Sequence, residues 1–164
     1  MEEKQKKDSM NIKMKKLLTA FLSSTIIILL FSTSCNKRKD ENMIPNVAVS
    51  IRVNMDLPLY NELLVPGNYI YLNGGNKGIT LFHGFDEEFY ATDRMCPYQP
   101  FDECSRVEID SNYTFRCGSM QNGVFQKCCD SKFQYDGQLS NGPALFPLKT
   151  YRVYKNGNII DISN

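Results

Sequence analysis

Six cysteines and a single histidine carry most of the chemistry this 164-residue chain can offer. The cysteines are Cys35 and then the set Cys96-x7-Cys104-x12-Cys117-x10-Cys128-Cys129. With His83 as the sole imidazole, any site that draws two histidines from one chain is excluded. Thiols grouped in this way have three fates. Paired in an oxidising compartment they become disulfides. As thiolates they hold zinc or an iron–sulfur cluster. Left unpaired, they take part in thiol exchange. No Cys-x-x-Cys knuckle occurs, and the adjacent Cys128 and Cys129 cannot readily chelate one ion together. The spacing therefore favours disulfides, with an all-cysteine cluster or zinc second and free thiols third. No nucleophile–base pair stands out either, because Ser131 has no histidine near it in sequence. The chain is read as more plausibly a non-enzyme than an enzyme.

Charge and hydropathy then divide the chain. Residues 1–34 carry six Lys and three acidic residues, while from Cys35 onward 13 basic residues face 15 acidic ones. A nucleic-acid binder shows a basic patch or stripe on its domain, and none is present, so no nucleic-acid partner is expected. A content of 42% hydrophobic and 12% aromatic residues is enough for a packed core. The length fits one domain.

Lys13, Lys15 and Lys16 precede the apolar run 17–31, which closes on Ser32-Thr33-Ser34-Cys35. A basic start, a short apolar stretch and small residues make a secretory signal peptide. Fifteen residues, interrupted by Ser23, Ser24 and Thr25, are short for a membrane-spanning helix. The cysteine after small residues resembles the lipobox of bacterial lipoproteins, with Ser32 where an aliphatic residue is usual. That resemblance implies that Cys35 becomes the first mature residue and carries lipid. Each buried methylene adds about 0.8 kcal/mol, and several acyl chains make a stable anchor. Met10 or Met14 opens a more ordinary signal peptide than Met1 does. Residues 36–42 are charged and polar without an apolar side chain, which suits a flexible tether. The expected organisation is a signal peptide at 1–34, a tether at 35–43 and a folded domain at 44–164. The protein is expected to be exported and membrane-anchored in the bacterial cell envelope, facing the periplasm or the surface.

Beyond residue 44 no stretch keeps a helical period, and short β-type runs alternate with turn signals. Strands are expected at 47–53, 69–72, 79–82, 89–92, 107–109, 113–116, 124–127, 150–154 and 158–162. Asn73-Gly74-Gly75-Asn76 and Lys155-Asn156-Gly157 read as hairpin turns, since Gly and Asn tolerate positive φ. Gly137, Gly142 and Pro143 break up a loop-rich segment. The expected fold is all-β, a small antiparallel sandwich or barrel without internal repeat.

The second half has a recognisable order. Phe89-Tyr90-Ala91-Thr92-Asp93-Arg94-Met95-Cys96-Pro97 resembles the strand entering the first cluster loop of Rieske-type domains. Cys129-Asp130-Ser131-Lys132-Phe133, Gly137 and the run from Gly142-Pro143 to Tyr151 resemble the second cluster loop and the proline loop after it. The resemblance covers about 74–162 and implies a Rieske-like fold with two cysteine-bearing loops at one end.

In that family a [2Fe–2S] cluster takes two Cys on one iron and two His on the other, from a Cys-x-His and a Cys-x-x-His pair. Here the first pair reads Cys96-Pro97-Tyr98, and the second, aligned on Ser131 and Phe133, places Gln126 and Cys129 at the ligand positions. Standard ligation is therefore excluded within one chain. The resemblance implies that the two loops lie side by side, and that Cys96–Cys129 is the easiest bridge. Cys104–Cys117 would then be a local bridge, with Cys128 unpaired beside the mild positive charge of Lys127. Tyr98, Phe133 and Tyr135 would lie near the loop tips, the face this family turns to its partner, although core packing is the stronger expectation for them. His83 and the Asp86-Glu87-Glu88 turn are expected to be structural. The leading reading is a structural or binding module with a possible envelope partner at the loop tips. The competing one is an iron–sulfur electron-transfer protein with a non-standard, mainly cysteine-held [2Fe–2S] cluster, and zinc is the other candidate cofactor.

Overall fold

The computed structural model describes residues 44–164. The expected signal peptide, the expected lipid attachment at Cys35 and the expected tether fall on residues outside that range. Ten strands follow one another: β1 (Ser50–Asn54), β2 (Tyr69–Leu72), β3 (Ile79–His83), β4 (Phe89–Asp93), β5 (Val107–Ile109), β6 (Phe115–Gln121), β7 (Val124–Phe133), β8 (Leu139–Asn141), β9 (Thr150–Asn156) and β10 (Ile159–Ser163). A single 3-10 turn, Asn61–Leu64, is the one helical element among the described residues. The fold is all-β, as the sequence pattern implies.

The strands form two antiparallel sheets, one in the order β1-β10-β9-β4-β3-β2 and one in the order β5-β6-β7-β8. Each has its own core. In the six-stranded sheet the alternation of β10 turns Ile160 and Ile162 inward while Ile159 and Ser163 face out, the period-2 signature of a half-buried strand. They pack with Val53, Leu63, Ile79 and Leu81. The four-stranded sheet builds a second core from Val107, Phe115, Phe133 and Leu148, and two cysteines, Cys96 and Cys117, belong to it.

Several strand limits differ from the expected ones. β1 starts at Ser50 rather than Val47, because the preceding residues are held by Asn164, which accepts from Val49 N–H and donates to the Val47 carbonyl. β8 was not anticipated; Leu139-Ser140-Asn141 is too short and polar to show alternation. The β9–β10 turn is Gly157-Asn158, with Asn156 paired to Ile159, one residue later than expected. Gly157 has φ +60°, the positive value that the first place of a primed two-residue turn needs.

Two features join the sheets, one beside the β3–β4 hairpin and one where the chain passes from β4 to β5. Phe82 of β3 stacks on Tyr135 at 5.0 Å and meets Tyr113 edge-on at 6.0 Å, both from turns of the four-stranded sheet. Arg94, just after β4, lies over the Tyr71 ring and forms a buried ion pair with Glu108 of β5. A buried charge is tolerated when it is paired in this way.

Candidate metal centre

The first cysteine loop begins where β4 ends. Asp93 is fully buried, and its carboxylate accepts hydrogen bonds from Asn76 N–H (2.8 Å), Met95 N–H (2.9 Å) and Tyr151 O–H (2.7 Å). Those bonds fix the direction in which the chain leaves the strand. Met95 then bridges to Arg106, and Cys96 N–H donates to the Ser105 carbonyl at 3.3 Å. Ser105 Oγ lies 3.0 Å from the carbonyls of both Cys96 and Tyr98. The segment 96–104 is thus a loop closed at its base by one buried serine.

The second cysteine loop is a bulge within a strand pair. β6 and β7 are in register at Arg116↔Lys132 and again at Gly118↔Lys127. Between those points β6 has one residue, Cys117, and β7 has four, 128–131. The longer side must therefore arch away from the ladder. Gly118 makes this geometry feasible: its φ is +150°, and a Cβ there would stand 2.2 Å from the Gln126 carbonyl oxygen. The proline loop then braces the arch, as Ala144 N–H donates to Ser131 Oγ at 3.0 Å.

The two loops meet in two distinct ways. Cys104 and Cys128 form a disulfide with Cα atoms 5.4 Å apart. Cys96, Cys117 and Cys129 are free thiols whose sulfurs all lie within 4.8 Å of one another. Cys96 and Cys117 are fully buried and Cys129 is partly exposed. The sulfur of Cys129 also accepts a hydrogen bond from Ser131 N–H at 3.4 Å. Among the described residues no fourth Cys, His, Asp or Glu joins the trio at that distance.

This arrangement corrects the pairing that the family resemblance implied. Cys96 and Cys129 do come together, with sulfurs 3.8 Å apart, but they are not bonded, and Cys104 bridges to Cys128 rather than to Cys117. The register Val107↔Cys117 carries the Cys117 thiol into the second core, away from Cys104. Cys128 is bonded and so offers Lys127 no thiolate, and Lys127 pairs with Asp130 at 2.9 Å.

Electrostatics separates the three free thiols. A hydrogen bond from Cys117 is the main reason the Cys96 thiol is drawn down to about 7, against the opposing cost of burial; contacts with Tyr98, Cys129 and Ser105 add to it. Cys117 moves far the other way, first because it donates to Cys96 and then because it is buried. One member of the trio thus ionises first while its neighbour keeps its proton. Thiolates, unlike thiols, bind metals.

The remaining expected residues stand apart from the trio. Gln126 is exposed on β7 opposite Ser119. Tyr98 is half-buried against the second core, Phe133 is wholly within it, and Tyr135 stacks on Phe82. Core packing thus accounts for the last two. His83 sits at the far end of the β3–β4 hairpin, opposite Phe89. Its Nδ1 lies 2.8 Å from the Leu63 carbonyl and its ring stacks on Phe89. β4 runs from Phe89 to Asp93, roughly 13 Å of strand, and the first cysteine loop starts beyond its other end. Asp86, Glu87 and Glu88 form an exposed turn, with Tyr90 O–H donating to Asp86.

No family model matches the chain, and no curated protein does. Among solved structures it is similar to the cyanobacterial plasma membrane Rieske protein PetC3 from Synechocystis PCC 6803. The identity is 21%, the match covers 73% of this chain and 100% of that one, and the TM-score is 0.47. It is also similar to the ferredoxin of carbazole 1,9a-dioxygenase from Nocardioides aromaticivorans IC177, at 15% identity over 71% of this chain and 97% of that one, with a TM-score of 0.44. The likeness to a Rieske protein is one of fold.

Proposed function

We propose that the chain is a lipid-anchored protein of the bacterial cell envelope whose Rieske-like domain works as a binding module built around three thiols, without the two-Cys/two-His cluster. The observation that carries this reading is the division of the five domain cysteines into a disulfide and a buried trio, with His83 at the opposite end of its hairpin. A [2Fe–2S] cluster needs four protein ligands, two on each iron. Three free thiols and a remote, carbonyl-bonded imidazole do not make up that number. The residues therefore do not fit the group, and electron transfer through such a cluster ranks second.

Anchoring rests on the sequence around Cys35. Among the described residues no helix is long and apolar enough to cross a membrane, and in this reading the anchor is the lipid on Cys35. A partner in the envelope belongs to the same reading, with Phe101, Leu145 and Phe146 as exposed apolar side chains on and beside the cysteine loops. The test uses the full chain, purified in detergent without oxygen. Iron, acid-labile sulfide and the visible spectrum should all be negative, and labelled palmitate should enter the wild type but not Cys35→Ser. Iron and sulfide in equal amounts, with charge-transfer bands, would make the chain an electron carrier instead.

A further inference from the structure

We infer that Cys96, Cys117 and Cys129 bind one thiophilic d10 ion, zinc(II) or copper(I), as a mononuclear three-thiolate site. The inference rests on the reading that the domain holds no iron–sulfur cluster, and goes beyond it by naming what the thiols take.

The distances suit a single ion. Zn–S bonds of about 2.3 Å place the sulfurs of a tetrahedral site about 3.8 Å apart. Cys96 and Cys129 stand at 3.8 Å, and all three sulfurs fall within 4.8 Å, so closure on an ion needs side-chain adjustment only. The three ligands come from three separately held pieces of backbone: the Ser105-closed loop, β6 and the braced arch in β7. Preorganisation of that kind is what distinguishes a site from a chance cluster of thiols. The bridge between Cys104 and Cys128 removes two competing donors and fixes the number at three.

The donor set also selects the ion. Thiolates favour zinc and copper(I), whereas oxygen-seeking cations such as Mg2+ and Ca2+ take carboxylates and carbonyls, and no carboxylate joins the trio. Three thiolates in an apolar core are too much charge to bury alone. An ion offsets one or two of the three negative charges, and the Ser131 N–H already points at the Cys129 sulfur. Binding exchanges protons for metal: three thiols and one ion give the three-thiolate complex and release the protons the thiols still held. No change of oxidation state is involved.

The test is titration of the full chain, in detergent, reduced under conditions that leave Cys104–Cys128 intact and stripped of metal, with zinc(II) and copper(I) in separate arms against a chromophoric chelator. Cobalt(II) serves as a spectroscopic probe for sulfur-to-metal charge transfer. One ion per chain is expected in at least one arm, and the tighter arm identifies the ion. Cys96→Ser, Cys117→Ser and Cys129→Ser should each weaken binding by more than the roughly 10- to 100-fold typical of changes around a ligand shell. Cys129→Ser is the decisive variant, since its side chain is partly exposed and its loss leaves the core packed. Absence of stoichiometric binding in both arms by a folded, iron-free protein would overturn the inference and leave the proposed function standing. Binding that survives Cys129→Ser would overturn it as well. Iron with sulfide in the protein as isolated would overturn both.

Discussion

Cys128 and Cys129 are neighbours in the chain with opposite commitments: Cys128 is bonded to Cys104, while the Cys129 sulfur stands 3.8 Å from that of Cys96. Successive side chains of extended backbone point to opposite sides. One arch therefore delivers a bridge to one side and a thiol to the other, which no reading of adjacent cysteines as rival ligands anticipates. The expected outcome of mapping is specific. Denatured, unreduced protein should be alkylated at Cys96, Cys117 and Cys129, and a digest should keep the Cys104 and Cys128 peptides joined. A Cys96–Cys129 linkage in freshly purified protein would show that the trio is an oxidisable pair with a bystander.

The bridge should contribute substantially to stability. It closes a separation of 24 residues, and restricting the unfolded chain by a loop of that size is worth about 3–4 kcal/mol. The double variant Cys104→Ala, Cys128→Ala should lower the unfolding free energy by that order in denaturant titrations. The first loop keeps its Ser105 closure, so the six-stranded sheet should fold unchanged by circular dichroism.

Much of this architecture was legible beforehand, for physical reasons that also mark where legibility stopped. The Gly and Asn at turns reflect local backbone preferences, and both hairpins appear. The Asn122-Gly123 turn between β6 and β7, with φ +51° and +78°, is an equally strong local signal that passed unused; it would have joined the two strands around the second loop. The extension of β7 to Phe133 was hidden because the arch interrupts its alternation. Cysteine pairing was beyond reach for a different reason. It depends on which side of an arch each thiol takes, a property of the β6–β7 register rather than of any spacing between cysteines.

The thiol pair at the centre should respond to pH with a definite sign. Cys96 is drawn down to about 7, against about 8.5 for an ordinary thiol. Its contribution to stability is absent below pH 7, grows as pH rises toward about 8.5, and is complete above that. Cys117, pushed upward, acts in reverse: above about 8.5 the unfolded chain gives up a proton that the folded one retains, and stability falls. The metal-free protein should therefore gain nothing from this pair in mild acid, gain most near pH 8.5, and lose stability again as pH rises beyond it. Cys117→Ala removes the donor to Cys96, so the Cys96 thiolate absorption should titrate at higher pH and the stability profile should flatten. An unmoved Cys96 titration would show that Cys117 is not its donor.

The ion pair between the sheets gives a test that leaves the cysteines untouched. Arg94 and Glu108 have side chains only 6% and 12% exposed. Removing one member of a buried pair strands the other charge, at a typical cost of about 3–5 kcal/mol. Glu108→Ala should reach that range in thermal or denaturant unfolding. Arg94→Met, which removes the stranded charge as well when combined with Glu108→Ala, should recover part of the loss. A double variant as unstable as the single one would mean that packing over Tyr71, rather than charge, holds the junction.

Gly118 decides whether the arch exists at all. Its φ of +150° lies in a region that L side chains rarely adopt, and its missing Cβ makes room for the Gln126 carbonyl at 2.2 Å and for Lys127 Cα at 3.0 Å. Both obstacles are backbone, so no rotamer change relieves them. Backbone strain alone costs about 1–3 kcal/mol, and the close approach adds to it. Gly118→Ala should therefore destabilise the protein more than Gly123→Ala, whose glycine also has positive φ, +78°, but whose Cβ would meet nothing within 4 Å. The comparison separates strain from crowding. It also reads out the site: because Gly118 follows Cys117 and pairs with Lys127 at the foot of the arch that carries Cys129, its replacement should raise the Cys96 titration toward that of a free thiol, whereas Gly123→Ala should leave it in place. Equal losses of stability from the two variants, with Cys96 unmoved in both, would mean that the arch tolerates a side chain at its foot and that the trio is held by the loops alone.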